Sequence, residues 1–138
     1  AVLNLDRQIP FAVDTVARSL TLWSALAQHI GAELTFVLQP LANWVRDDPS
    51  REETEIFAEL DEIGGFTQQY GEILTADVHA AYSRGLRDAT KAVGLTYVDS
   101  VPAFAESISP EDWMYVDRIH FTDRGHAAFA DLLMSHCL

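Results

Sequence analysis

Cysteine is almost absent: Cys137 stands alone in 138 residues. That excludes an internal disulfide and a cysteine-built metal cluster, and a lone cysteine fixes no compartment. Basic residues are scarce as well, with 9 Lys and Arg against 21 Asp and Glu and a formal net charge of −12. A chain this acidic is repelled by phosphate backbones and anionic lipid surfaces, so neither nucleic acid nor membrane is expected as a partner. No stretch approaches the ~20 consecutive apolar residues of a membrane span. The first thirty residues carry neither the basic start nor the compact apolar segment of a secretory leader. Ala1 in place of Met is what processing, or a cut from a longer chain, would leave.

What is present is a core. Hydrophobic residues make up 49% of the chain, and the length suits one domain. After an ambiguous lead-in over 1–8, a helix is expected from Ile9 and Pro10. Its apolar face runs through Val13, Val16, Leu20, Trp23, Ala27 and Ile30. Gly31 ends it, and LTFVLQP (34–40) reads as a buried strand closed by Pro40. Residues 41–50 read as a loop. Ser50 and Glu53 have capping-box spacing at the head of a helix whose apolar face is Ile56, Leu60 and Ile63; Gly64 and Gly65 stop it. Nothing decides 66–75. A second long helix is expected over 76–93, with Tyr82, Leu86, Ala89 and Val93 on one side. Gly94 and the short strand LTYV (95–98) follow. The junction VGLTYV echoes IGAELTFV, which predicts two adjacent parallel strands. Residues 99–112 read as a long connection, and a terminal helix over 123–135 is buried through Ala128, Phe129, Leu132 and Leu133. The pattern is α/β. Parallel sheets are covered on both faces and usually have ~4–6 strands, so the chain reads as part of a larger fold.

The chemistry concentrates in WMYVDRIHFTDRGHAAFA (113–130). Asp117 and His120 are three apart. If the backbone turns once between them, the carboxylate can accept the proton on one ring nitrogen and fix the tautomer, leaving the other nitrogen as a base. This stretch resembles the last motif block of the SGNH (GDSL-type) hydrolases, D-x-x-H followed by T-D-x-G and an amphipathic terminal helix. Asp117, His120, Thr122, Asp123 and Gly125 fall where that pattern wants them. The resemblance implies a three-layer α/β/α (flavodoxin-like) domain with a parallel sheet, of which residues 1–138 are the C-terminal part. It implies His120 as general base and Asp117 as its orienting partner in an acyl-serine ester hydrolase without a cofactor. The substrate would be a small ester, with O-acylated sugars among the candidates. The family's earlier blocks, G-D-S and G-x-N-D, are absent, and so is G-x-S-x-G. The nucleophile and oxyanion donors would then come from an upstream segment or a second chain completing the sheet, and the isolated chain is not expected to be active. The alternative is a non-catalytic α/β interaction module derived from the same fold.

Other candidates carry less. Ser100 follows a strand and an aspartate, but Pro102 follows closely and no glycine precedes it, so it reads as a turn or capping residue. Asn4 lacks the glycine and aspartate pattern of an oxyanion donor. Asp117, His120, Asp123, His126 and His136 match none of the usual metal-ligand spacings, so no metal is expected. His126 and Asp123 suit the exposed first turn of the last helix. Trp44, Trp113 and Tyr115 read first as covers of a core edge, with Trp113 and Tyr115 the better candidates for lining a pocket. Glu52, Glu53, Glu55, Glu59, Asp61 and Glu62 read as the solvated face of an acidic helix.

Overall fold

A glycine with a positive φ ends each helix that leads into a strand. Gly31 (φ 68°) and Gly94 (φ 72°) adopt the left-handed conformation that lets the chain reverse out of the helix. The computed structural model describes residues 4–137, with side chains as far as Ser135. The described residues fall into two compact units: one comprises residues to Leu38 together with Ala76–Asp99, the other Gln39–Thr75 with the chain from Ser100 onward.

The first unit contains α1 (Leu5–Ile30), β1 (Thr35–Leu38), α5 (Ala76–Ala92) and β2 (Thr96–Asp99). The two strands pair in parallel, Thr35 opposite Thr96 and Leu38 opposite Asp99, and the Phe36 and Tyr97 rings stack with centroids 6.2 Å apart. Helix α1 begins earlier than Ile9. The side chain of Asn4 accepts a hydrogen bond from the Arg7 N–H and caps the first turn. Pro10 therefore lies inside the helix, where the carbonyl it deprives of a partner belongs to exposed Asp6. The buried face of α1 runs through Leu20 and Ser24, whose hydroxyl donates to the Val93 carbonyl at 3.1 Å. Two members of the expected face are on the outside: Trp23 is 56% exposed and Ile30 is exposed too. Over seven turns, straight i+3/i+4 counting drifts off the contact line, and α5 covers the residues nearer Val13, Leu20 and Ser24.

The second unit is helical. It contains α2 (Ala42–Val45), α3 (Arg51–Gly64), α4 (Phe66–Tyr70), a 3₁₀ turn over Gly71–Leu74, α6 (Val101–Ser107) and α7 (Asp123–Cys137). Short helices thus occupy both segments read as connections. Pro102 does not prevent α6, because it sits in the first turn, where no intrahelical N–H is needed. The core joins Val45, Phe57, Val101, Met114 and Leu132 to an aromatic cluster. In that cluster Phe104 meets Tyr115, Phe121 and Phe129 at centroid distances of 6.3, 5.3 and 5.8 Å. On α3 the buried side is Glu53 and Phe57; Leu60 and Ile63, expected inside, are exposed. The chain as a whole is mixed α/β, dominated by helix, and the sheet among the described residues has two strands. No helix among them is long and apolar enough to cross a membrane.

Phe104→Ala should lower the free energy of unfolding of the second unit by ~3–5 kcal/mol, since it empties the centre of the ring cluster. Ile63→Ala, at a residue 82% exposed, should change it by no more than ~0.5 kcal/mol. Urea denaturation followed by near-UV circular dichroism separates the two; equal losses would contradict the packing described.

Candidate functional site

Glu53 is the least expected residue of the site. It lies at the third position of α3, where its carboxylate closes the capping box by accepting from the Ser50 N–H at 3.0 Å, while Ser50 Oγ accepts from the Glu53 N–H. The same oxygen, Oε2, takes the Arg46 guanidinium at 2.6 Å. The other, Oε1, accepts the backbone N–H groups of Met114 and Tyr115 at 2.9 and 3.0 Å. With its side chain 1% exposed, Glu53 corrects its reading as part of a solvated acidic face. Burial of a carboxylate is tolerated here because a cation and three N–H groups converge on it. Arg46 carries the clamp further, donating to the carbonyls of Ser109, Pro110 and Asp112 at 3.0, 3.3 and 2.6 Å.

Beyond Tyr115 the chain makes a tight excursion. Tyr115 and Phe121 form an antiparallel bridge, the Val116 N–H donates to the His120 carbonyl, and the Thr122 N–H donates to the Met114 carbonyl at 2.8 Å. Asp117 sits at the turn. Its Oδ1 accepts the N–H groups of Ile119 and His120, both at 2.7 Å, and its Oδ2 is 2.7 Å from His120 Nδ1. One carboxylate therefore shapes the backbone and orients the imidazole. With Nδ1–H donated to Asp117, Nε2 carries the lone pair. The ring is 70% exposed. Burial alone would push the Asp117 carboxyl up. The hydrogen bonds from the His120 ring and from the two backbone N–H groups outweigh it and hold the carboxyl below its ordinary value.

The T-D-x-G segment has a structural account. Thr122 Oγ1 donates to the Trp113 carbonyl at 3.0 Å and accepts from the Gly125 N–H at 3.0 Å, capping α7 and pinning the return of the loop. At Gly125 a Cβ would lie 2.2 Å from the Met114 carbonyl oxygen, so only glycine lets the helix pass that close. Arg118, between the two motif residues, is held by Asp61 at 2.6 Å and Asn43 at 3.1 Å and lies over the Phe57 ring at 4.8 Å. Asp61 and Glu53 thus both leave the solvated-face reading. The Arg118 carbonyl takes the Ala42 N–H, and the Ile119 carbonyl takes the Gln39 amide.

A cavity of about 300 Å³ opens beside His120, walled by Phe57, Leu60, Phe66 and Ile119, with Asp61, Arg118 and Asp117 at its edge. Among the described residues no serine, threonine or cysteine lines it. Ser100 is the N-cap residue of α6, without a side-chain cap bond, and it is fully buried, so its hydroxyl does not face solvent. Tyr115 belongs to the core, with its hydroxyl on the Pro40 carbonyl at 3.1 Å, in keeping with its first reading as a core residue and not with the pocket-lining alternative. Trp113 does line a second, open depression with Glu52, Glu111 and Arg124. Trp44 packs against the core edge and donates to the Ile73 carbonyl. His126 and Asp123 are exposed on the first turn of α7. No group of three metal-ligating side chains occurs among the described residues, and the side chain of His136 lies outside them, as does that of Cys137.

The first unit holds a second His–Asp contact that short-range motif spacing misses. His79 Nε2 lies 3.0 Å from Asp99 Oδ2, Ser83 Oγ donates to the same oxygen at 2.6 Å, and Tyr97 OH donates to Ser83 at 2.9 Å. The serine is bonded to the carboxylate and not to the imidazole, so this knot ties α5 to β2 without activating a hydroxyl.

An unfolded aspartate titrates near ~3.9. Asp117 in the fold titrates lower, so below that point the unfolded chain binds the extra proton first. The stability from this contact is complete above ~3.9 and is lost as pH falls through the folded value. Carboxyl carbon NMR should place the Asp117 midpoint below ~3.9, and His120→Ala should raise it while the two backbone bonds keep part of the depression. A wild-type midpoint at or above the unfolded value would contradict the geometry.

No protein-family model matches the chain, and no curated protein matches it.

Proposed function

We propose that the Asp117–His120 turn is the general-base half of an SGNH-type serine ester hydrolase, whose nucleophile and oxyanion donors come from an upstream segment or a second chain. The observation that carries this reading is the 2.7 Å contact of Asp117 Oδ2 with His120 Nδ1 in a ring that is largely exposed on a cavity. Nε2 would accept the serine proton as the hydroxyl attacks the ester carbonyl. Asp117 would stabilise the imidazolium, which then hands the proton to the departing alkoxide, and a water activated by the same nitrogen would release the acyl group. In this reading the two parallel strands belong to a wider sheet in a three-layer α/β/α domain, and no cofactor takes part. The substrate is a small ester.

A second reading, a non-catalytic interaction module, has its own support. Phe11, Leu22, Leu26 and Ile30 are exposed along α1, and among the described residues no serine, threonine or cysteine lines the cavity beside His120.

The isolated chain should hydrolyse p-nitrophenyl acetate no faster than free imidazole, and a fluorophosphonate should leave it unlabelled. Removing the serine from a complete triad already costs several orders of magnitude. With a co-purifying upstream segment present, the label should fall on that segment and be abolished by His120→Ala. Stoichiometric labelling of a serine in this chain would overturn the split-site reading. Labelling of the partner segment unaffected by His120→Ala would remove His120 from the chemistry and favour the interaction module.

A further inference from the structure

Resting on His120 as the base of the proposed reaction, we infer that the cavity beside it takes a neutral apolar acyl chain of medium length rather than a sugar. Four of its walls are apolar: Phe57, Leu60, Phe66 and Ile119. Every charged group at its edge is already committed. Arg118 is shared between Asp61 and Asn43 and lies flat over Phe57, and Asp117 is occupied by His120 and two backbone N–H groups. A hydroxyl-rich ring entering this space would lose water and find His120 Nε2 as its main uncommitted partner, too few for its several hydroxyls. Among the described residues an anion would find no uncommitted arginine or lysine at the edge, and it would face Asp117. An alkyl chain displaces water from the apolar walls at no such cost. The volume, about 300 Å³, is at the small end of ligand cavities, which suits one chain and not a chain with its alcohol. The inference also accounts for Leu60, an apolar residue of α3 left 40% exposed: it forms one wall. A chain seated there would present its ester carbonyl to the imidazole. After hydrolysis the new carboxylate would be repelled by Asp117, which favours product release.

Binding needs no nucleophile, so the full chain as it exists serves for the test. Titration with 1-octanol, octanoate and 6-O-acetylglucose, followed by amide NMR, should show octanol shifting Leu60, Phe66, Ile119 and His120. Octanoate should bind at least fivefold more weakly, and the sugar should not perturb these residues. Leu60→Asp, a substitution on an exposed position, should weaken octanol at least tenfold with an unchanged circular dichroism spectrum; if it fails to fold, Phe66→Gln replaces it. Sugar binding at these residues without octanol binding would overturn the inference. So would octanol shifts confined elsewhere, or shifts that depend on protein concentration because a second copy fills the cavity. Octanol binding here, with no serine of a co-purifying segment labelled in a His120-dependent way, would defeat the hydrolase reading and leave the cavity's preference standing. His120-dependent labelling without octanol binding would do the reverse.

Discussion

The second unit depends on the buried carboxylate of Glu53. One oxygen closes the first turn of α3 and holds Arg46; the other holds the backbone of Met114 and Tyr115. A bare carboxylate in this position would be untenable. Paired and fully hydrogen-bonded it is sustained, and loss of one partner of such a pair typically costs ~3–5 kcal/mol. Because the Met114 carbonyl in turn receives Thr122 and presses on Gly125, the anchor reaches both ends of the excursion that carries Asp117 and His120. The geometry of the candidate base is therefore set by a residue more than sixty positions earlier in the chain.

This arrangement separates two demands on the site. Precision comes from buried groups: Glu53, Arg46 and the Phe104 ring cluster hold the loop from beneath. Access comes from the loop itself, which projects an imidazole whose ring is mostly in solvent and whose Nδ1 is taken. The imidazole is thus held in one orientation by the fold itself, and in the proposed reaction that preorganisation is what a general base requires. The neighbouring cavity has the apolar walls Phe57, Leu60, Phe66 and Ile119, with Arg118 paired to Asp61 at its edge; the proposed selection by desolvation rests on that lining.

Local signals in the sequence were legible where physics is local. The Ser50–Glu53 capping box, the glycines that close α1 and α5, the parallel strand pair and the Asp117–His120 contact all involve short spacings or short repeated patterns. What was not legible depends on distant partners. Capping-box spacing does not reveal that the Glu53 carboxylate also meets Arg46 and the 114–115 backbone, so charge composition alone put it in solvent. The apolar stripes of α1 and α3 gave a period without a phase, and Trp23, Leu60 and Ile63 fell outside the buried face. Residues 99–112 read as a connection, and the place of Pro102 in the first turn of α6 is visible only once the helix start is known. The knot of His79, Ser83 and Asp99 joins a helix to a strand across some twenty residues, a separation that the short spacings read from the sequence do not reach.

Through the backbone of Met114 and Tyr115, Glu53 is expected to fix the Asp117–His120 geometry from a distance. Long-range ¹H–¹⁵N correlation of the His120 ring in the wild-type chain and in Glu53→Gln tests it directly, alongside amide exchange at Met114 and Tyr115. The wild type should show the Nδ1–H tautomer with both amides protected. Glu53→Gln should show a mixture of tautomers and faster exchange at both amides. A folded Glu53→Gln chain that keeps the single tautomer and full protection would contradict the account.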